Sequence, residues 1–231
     1  MVKYLMIAFV GGILCLDRTA VQLLISRPIV AAPILGAILG DPVTGLIIGS
    51  FLELLWINRV SVGGYIPPDD TLAAVVITGV TIIVSGRLGF VSAELISLSF
   101  IIFLPVALLG QRAQSLIIKS NDRLAELAEQ AAEKPDIRML ELLHLRGLAK
   151  AFLVPAFLIM ILTLSGVEIL HAAYRSLPSW SYDGLRLSYY LLPLIGVAAG
   201  LNMIKLKRAV PVFAALSLAV IIFFEYLFDF R

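Results

Sequence analysis

Two apolar segments in the first third of the chain are each too short to cross a bilayer. Residues 29–40 and 43–57 form apolar runs of twelve and fifteen residues, joined by Asp41-Pro42. As helices they would extend about 18 and about 22 Å at 1.5 Å per residue, less than the roughly 30 Å of a hydrocarbon core. Irregular backbone at membrane depth needs protein or a water-filled cavity to satisfy its polar groups. The pattern therefore predicts a re-entrant hairpin, or broken helices, over residues 29–71.

Longer apolar segments predict spanning helices in the rest of the chain. A first segment, interrupted by Asp17-Arg18 and Gln22, covers residues 4–26, and Arg27-Pro28 ends it because proline disfavours helix in the preceding residue. The other apolar segments cover residues 72–85, 91–118 with Pro105 inside, 151–172, 187–204 and 209–230. The predicted fold class is all-α, a polytopic membrane protein with re-entrant or broken helices in its N-terminal third.

Residues 119–150 form the one extended polar region of the sequence. Asn121 or Asp122 can cap a first helix that Pro135 ends, and Asp136 can cap a second helix. Six basic residues lie in this region, and basic loops face the cytoplasm. We therefore predict a cytoplasmic helical hairpin, which is either a dock for a soluble partner or a solvated connector.

These patterns divide the chain into three regions. Residues 1–118 are the N-terminal membrane region with the re-entrant, substrate-binding hairpins, residues 119–150 the cytoplasmic helical loop, and residues 151–231 the C-terminal transmembrane helices. Residues 174–186 are predicted as an outside loop and residues 205–208 as a basic cytoplasmic turn.

Composition agrees with a membrane location. Apolar residues make up 60% of the chain and charged residues 15%, against about 25% charged residues in soluble proteins; the mean hydropathy is +1.00. A net charge of +2 gives no reason to expect nucleic-acid binding, and a single cysteine excludes a disulfide within the chain.

Polar residues near the predicted hairpin indicate a ligand site. Glu53 lies inside an apolar run, and a carboxylate at the bilayer centre costs roughly 2.5–3.5 kcal/mol, so it normally faces a cavity or a partner. Carboxylates accept several hydrogen bonds at once, as the hydroxyls of a sugar would donate them. Trp56 and Tyr65 can cover the apolar face of a sugar ring. The pattern favours a small polyhydroxylated ligand.

The candidate ligand-binding residues are all polar and lie in or beside the broken segment. We expect hydroxyl partners at Glu53, Asp69, Asp70 and Gln22, with Asp17, Arg27, Asn58 and Thr71 as further candidates. Two structural alternatives stay open. Arg27 can pair with Asp17 or Glu53, and Asp69 or Asp70 can cap a helix without contacting a ligand.

An ordered set of motifs covers residues 16–74. It consists of Leu16-Asp17, Arg27-Pro28, Leu39-Gly40-Asp41-Pro42-Val43-Thr44-Gly45-Leu46-Ile47-Ile48-Gly49, Leu52-Glu53 and Gly63-Gly64-x-x-Pro67-Pro68-Asp69. This run resembles the membrane C component (EIIC) of the mannose/fructose/sorbose class of the bacterial sugar phosphotransferase system.

The resemblance implies a sugar-transporting subunit of the bacterial cytoplasmic (inner) membrane. It implies an obligate complex with a membrane D component (EIID), as a homo-oligomer of C–D complexes, and elevator-like movement of a mobile core. Cytoplasmic EIIB and EIIA proteins would carry the phosphohistidines, so that EIIB phosphorylates the sugar as it reaches the cytosol.

No catalytic residue, cofactor or metal ion is predicted for the chain itself. The sequence has no Gly-rich phosphate loop, Walker lysine or metal-spaced His/Cys cluster. His144 and His171 are predicted to be ordinary surface residues. Cys15 has no basic neighbour that would lower the pKa of its thiol.

Two other functions stay open on the residues alone. One is the substrate-binding membrane subunit of another uptake system, such as a vitamin transporter. The other is an intramembrane prenyl transferase, in which Asp69-Asp70 would hold Mg²⁺ against a diphosphate. That chemistry normally uses a second acidic cluster facing the first.

Overall fold

The computed structural model describes residues 1–57, 64–133, 136–203, 211–215, 217–219 and 222. Within these residues the chain is helical, without β-strands, which confirms the all-α prediction. The elements are α1 Val2–Leu16, continued by the π-helical turn Asp17–Val21, α2 Pro28–Leu39, α3 Pro42–Trp56, α4 Asp70–Leu88, α5 Ala93–Phe103, α6 Val106–Glu133, α7 Ile137–Arg175 and α8 Ser179–Met203.

Two short apolar helices lie between longer ones, as the hydropathy pattern predicts. Four stretches of the described residues are long and apolar enough to cross a membrane: Val2–Val21, Asp70–Leu88, Ala93–Glu133 and Ile137–Arg175. The two helices between the first and second of them, α2 and α3, have twelve and fifteen residues. The chain is therefore a polytopic membrane protein with broken helices in its N-terminal third.

The break between α2 and α3 is a tight, capped corner. Gly40 ends α2 with φ at +94°, a left-handed conformation that glycine adopts without steric cost. Asp41 caps α3 by accepting a hydrogen bond from the Thr44 backbone N–H at 3.0 Å, and its own N–H donates to the Gly36 carbonyl at 2.8 Å. Pro42 occupies the first helical position, where its missing N–H costs nothing.

Small residues let the two arms of this hairpin touch backbone to backbone. A Cβ atom added to Gly45 would lie 2.5 Å from the Ala32 carbonyl oxygen, and one added to Gly36 would lie 2.5 Å from the Asp41 carbonyl oxygen. Such contact between small residues is what packs helices in lipid, where no hydrophobic effect drives them together.

Helix α4 forms the centre of the bundle. Fifteen of its nineteen residues are buried, including every residue from Asp70 to Ile82. Tyr4, near the start of α1, accepts a hydrogen bond at 3.4 Å from Arg87, near the end of α4. Arg18, just after α1, contacts the start of α4. The π-extended α1 therefore runs antiparallel to α4.

The polar region is more helical than predicted. Asn121 and Asp122 start no helix, because α6 continues through both of them from Val106 to Glu133. Asp136 does cap the following helix, accepting from the Met139 N–H at 3.1 Å as predicted. Both residues are tolerated inside this helix because its amphipathic period continues through them: Asp122 is exposed to solvent, whereas Asn121 is half-buried.

Two other predicted boundaries change. The predicted loop at residues 174–186 is mostly helix, because α7 continues to Arg175 and α8 begins at Ser179. The predicted segment 91–118 is two helices, since Pro105 separates the end of α5 at Phe103 from the start of α6. The basic turn and the last predicted segment lie largely outside the described residues, and the division into three regions stays a prediction.

Gly45→Ala should destabilise the protein, because the new methyl group meets a backbone carbonyl that cannot move without opening the hairpin. We expect a loss of about 1–3 kcal/mol, visible as a lower unfolding temperature of the detergent-purified chain. Gly86→Ala is the matched control, since a Cβ atom there has nothing within 4 Å and alanine favours helix. Equal unfolding temperatures for the two variants would contradict the close packing of the hairpin.

Candidate functional site

One arginine holds two adjacent carboxylates at the start of the central helix. Arg18 Nη1 lies 2.6 Å from Asp70 Oδ1 and 3.3 Å from Asp69 Oδ1. The side chain of Arg18 is 18% exposed, that of Asp70 10% and that of Asp69 8%. Burial strengthens the attraction between these charges, and it also makes each of them costly to leave unpaired. We call Arg18, Asp69 and Asp70 the acid pair centre.

The turn after α1 positions the arginine. Residues Asp17–Val21 form a π-helical turn, and π-bulges are common at functional sites. The turn ends at Gln22 in a left-handed conformation with φ at +60°. This turn holds Arg18, the second residue after the end of α1, beside the start of α4.

The extended segment before α4 is fixed by α6. Asp69 caps α4 by accepting from the Leu72 N–H at 3.0 Å, and its own N–H donates to the Ala107 carbonyl at 2.9 Å. Gln111 donates to the Ile66 carbonyl. Gly110 permits this approach, since a Cβ atom there would lie 2.5 Å from Asp69 Cβ. Asp69 thus has the capping role that the sequence left open, in addition to its ion pair.

Asp17 and Thr71 order the backbone between α1 and α2. Asp17 is 1% exposed and accepts from the N–H groups of Leu23 at 2.7 Å and Ser26 at 3.0 Å. The Thr71 hydroxyl donates to the Ser26 carbonyl at 2.8 Å. Both predicted ligand residues therefore have partners within the protein, and they connect the segment 22–27 to α4.

A second ion pair holds the entry of the hairpin. Arg27 Nε donates to Glu53 Oε1 at 2.8 Å, its Nη2 contacts the same oxygen, and the Ile29 N–H donates to Glu53 Oε2 at 3.4 Å. This is one of the two structural pairings that the sequence allowed for Arg27. The Glu53 side chain is 18% exposed, compared with 35% for Arg27.

The structure thus separates the predicted ligand residues into two ion-pair centres. Asp69 and Asp70 share Arg18, whereas Glu53 belongs to Arg27. The remaining predicted residues are distributed around these centres: Gln22 is exposed, Asp17 and Thr71 bond to backbone, and Asn58 lies outside the described residues.

A cavity of about 140 Å³ opens on one face of the acid pair centre, and most of its lining is apolar. Its polar lining includes Arg18 and Asp69 together with Gln114 and Asn121 of α6. Glu53 does not line it. Trp56 lines a separate, mostly apolar cavity of about 380 Å³.

Sequence reasoning missed four polar residues of this cavity, Arg18, Thr19, Gln114 and Asn121, and a signal for the two amides was present. Gly110, Gln114 and Asn121 recur at intervals of four and seven residues, which places them on one face of α6. Two amides on that face of α6 indicate polar contacts along it. Arg18 was visible only as an interruption of the first apolar segment.

The centre is unsuited to a divalent cation. Arg18 already places a positive charge between the two carboxylates, where a Mg²⁺ ion would need to bind. In the part of the chain that the structure describes, no three His, Cys, Asp or Glu residues cluster around a potential metal position. This arrangement disfavours the prenyl transferase alternative.

A family model described as the sorbose-specific IIC component of the phosphotransferase system matches residues 1–226. The chain belongs to this family. The resemblance carried by the motifs of residues 16–74 is thereby confirmed, and the family disfavours both alternative functions, another uptake system and a prenyl transferase. The chain is an EIIC, a membrane transport component of a phosphotransferase system.

Relatives of known annotation agree with the family. This EIIC is 28% identical over 190 residues to the sorbose-specific EIIC component of Klebsiella pneumoniae, with 81% of this chain and 68% of the relative covered. It is 30% identical over 188 residues to the sorbose-specific EIIC component of Lacticaseibacillus casei, with 81% and 65% covered. The chain thus spans about two thirds of the length of these relatives.

Two solved structures share the fold. A membrane protein matches with a TM-score of 0.73 and 21% identity, over 99% of this chain and 95% of that one. The mannose transporter ManYZ, in complex with microcin E492, matches with a TM-score of 0.62 and 22% identity, over 94% and 85% of the two chains.

Replacing Arg18 should be far more costly than replacing an exposed arginine of the same protein. Arg18→Gln leaves Asp69 and Asp70 buried without a counter-charge, and breaking a buried pair costs about 3–5 kcal/mol. Arg87, whose partner Glu168 is 67% exposed, provides the control, because an exposed pair contributes about 0–1 kcal/mol.

The measurement is the unfolding temperature of each purified EIIC variant. A second test uses Asp70→Asn in the Arg18→Gln background, where removing one orphaned charge should recover part of the loss. Similar losses for Arg18→Gln and Arg87→Gln would show that the acid pair centre is not a buried electrostatic unit.

Proposed function

We propose that this EIIC binds a sugar at the acid pair centre and carries it across the membrane, coupled to phosphorylation by partner subunits. The observation that supports this most directly is a cavity inside an apolar bundle that is lined by the buried carboxylate of Asp69 and the half-buried guanidinium of Arg18. Buried charges within membrane segments mark substrate pathways, since they are otherwise too costly to retain.

The free hydrogen-bonding capacity of the centre fits a hydroxylated ligand. Among the described residues, two hydrogen bonds reach the Asp69 side chain, from Arg18 and from the Leu72 N–H, and both end on Oδ1. Asp69 Oδ2 is left to accept from a sugar hydroxyl, and the guanidinium of Arg18 has further N–H groups to donate to a hydroxyl oxygen. A hydroxyl both donates and accepts, so one sugar can use both partners.

The second centre fits a moving element. Glu53 and Arg27 connect α3 to the residue that precedes α2, so this pair holds together the two ends of the broken segment. Ser26, next to Arg27, bonds to Asp17 and Thr71 and so connects the hairpin to the acid pair centre. In an elevator-like movement, we infer that the hairpin and the centre travel as one body past the remaining helices.

The partners follow from the family. We propose an obligate complex with an EIID membrane subunit, assembled as a homo-oligomer of C–D units, in the bacterial cytoplasmic membrane. Cytoplasmic EIIB and EIIA phosphocarriers would supply the phosphoryl group, so the chain would need no phosphoryl-accepting residue of its own. The cytoplasmic hairpin of α6 and α7 is the surface that these soluble partners would reach.

The sugar belongs to the range that the relatives' names describe. Besides the sorbose-specific components, relatives include a mannose-specific EIIC component of Escherichia coli, a fructose permease IIC component of Bacillus subtilis and an N-acetylgalactosamine permease IIC component of Escherichia coli. We therefore propose a hexose, ketose or N-acetylhexosamine as the substrate.

Asp69→Asn should abolish uptake without preventing insertion. Asparagine is as good a helix cap as aspartate, so α4 should still begin at the same residue. The neutral side chain loses the charge-assisted hydrogen bonds to Arg18 and to a sugar hydroxyl, and charge-assisted bonds contribute about 1.5–3 kcal/mol each. Uptake of labelled sugar by cells that express the complete complex is the measurement.

Asp41→Asn provides the matched control, because Asp41 is also a helix cap, at the corner of the hairpin, and does not line the cavity beside the acid pair centre. It should leave uptake close to that of the parent. Unchanged uptake by an Asp69→Asn complex that is present in the membrane at parental levels would remove Asp69 from the proposed mechanism.

A further inference from the structure

The outer face of α6 carries a cation among apolar side chains. Arg112 is exposed, and so are Leu108 and Leu116, which lie four residues before and four residues after it on the same face of the helix. Gln114 and the cavity beside the acid pair centre lie on the opposite face of α6. Arg112 is therefore separate from the proposed sugar site.

Arg112 has no acidic partner in the part of the chain that the structure describes. The ion pairs there are formed by four other arginines, Arg18, Arg27, Arg87 and Arg186. The acidic residues of α6 itself begin at Asp122, ten residues or about 15 Å further along the helix. A charged residue in a membrane segment normally pairs or extends to the interface, so we expect Arg112 to meet an anion from outside the chain.

An apolar cavity of about 380 Å³ opens one helical turn from this cation, where α5 meets α6. Its walls include Trp56 at the end of α3, Phe100 and Ile101 of α5, Leu108 of α6 and Leu192 of α8. Among the residues that the structure describes, no charged side chain lines it. Ile101 is 60% exposed and Leu108 51%, so the cavity opens to the surroundings of the bundle.

A second cation lies on the same face, at the start of the polar region. Lys119 is exposed and follows Arg112 by seven residues, which is about 10 Å along the helix and about 20° around its axis. Long basic side chains near the end of a membrane segment extend towards the lipid headgroups. From Leu108 to Lys119, the surface of α6 thus changes from an apolar cavity to two cations.

We propose that this face of α6 binds an anionic phospholipid. One acyl chain lies in the cavity beside Trp56 and Leu108, and the negatively charged headgroup lies between Arg112 and Lys119. Basic residues beside the membrane recognise such headgroups, and each of them strengthens binding about fivefold. The inference goes beyond the proposed function, because it uses no residue of the acid pair centre.

The chemistry of the face favours a lipid over a helix of a partner subunit. A phospholipid supplies an apolar chain and an anion in one molecule, in the order in which α6 presents the cavity and the cations. A partner helix would need an acidic side chain within the membrane, which is costly. Helix interfaces in lipid also use small residues, whereas the exposed residues here are large: Leu108, Arg112 and Leu116.

Trp56 provides a probe of the cavity, because bromine atoms on an acyl chain quench the fluorescence of a tryptophan that they touch. The chain with its partner subunits is reconstituted in phosphatidylcholine vesicles that contain an increasing fraction of phosphatidylglycerol, brominated in the middle of its chains. A second series uses brominated phosphatidylcholine. The signal of Trp56 is the part of the quenching that is absent from the Trp56→Phe variant, so Trp180 and the partner subunits do not contribute.

Half-maximal quenching of Trp56 should need about 5- to 25-fold less brominated phosphatidylglycerol than brominated phosphatidylcholine, since two cations contribute about fivefold each. Arg112→Gln and Lys119→Gln should each reduce this preference about fivefold. Quenching by brominated phosphatidylcholine should stay unchanged in both variants, which shows that they remain folded. Arg146→Gln is the matched control, because Arg146 is exposed on α7 and outside the cavity, and it should keep the full preference.

Four results would contradict this assignment. Equal quenching by the two brominated lipids would show that the cavity takes an acyl chain without selecting its headgroup. Quenching in the chain purified alone, but not in the complex, would assign the face to a partner subunit. No quenching in either sample would show that protein fills the cavity. A preference for phosphatidylglycerol that survives the combined Arg112→Gln and Lys119→Gln variant would place the headgroup elsewhere.

Discussion

The structure depends on keeping three charges buried beside an apolar bundle. Arg18 lies between Asp69 and Asp70 at the start of α4, the most buried helix of the described chain. Hydrophobic residues of similar volume could fill such a position without the desolvation cost of ions. The cavity lined by Arg18 and Asp69 lies beside these charges, and the proposed role in sugar binding would account for retaining them there.

The surrounding elements are arranged to hold this centre in place. A π-helical turn carries Arg18 past the end of α1, and the interruption at Pro105 starts α6 where Ala107 can accept from the Asp69 N–H. Gly110 then brings α6 into contact with Asp69. Each of these irregularities would weaken a simple spanning helix, and each contributes a contact to the acid pair centre.

The hairpin of α2 and α3 is the second feature on which the structure depends. Each of its two helices is shorter than the hydrocarbon core of a bilayer is thick. Its glycines bring the arms into backbone contact, and Arg27 with Glu53 closes its base. A compact hairpin can move relative to long spanning helices without breaking its own hydrogen bonds. Both helices of the hairpin also pack against α4, and the hydrogen bonds of Ser26 with Asp17 and Thr71 add to this contact between the hairpin and the acid pair centre.

The sequence by itself determined the all-α class and the breaks at Arg27-Pro28 and Asp41-Pro42, because proline geometry and helical period are local properties. That Glu53 and Asp69 bind the ligand stays a prediction. The sequence did not determine which charges pair. Arg18 lies 51 residues from Asp69 in the chain, and the amides of Gln114 and Asn121 come later still. Only the packing of α1, α4 and α6 brings these groups to one cavity, and spacing along a chain carries no record of contacts between separate helices.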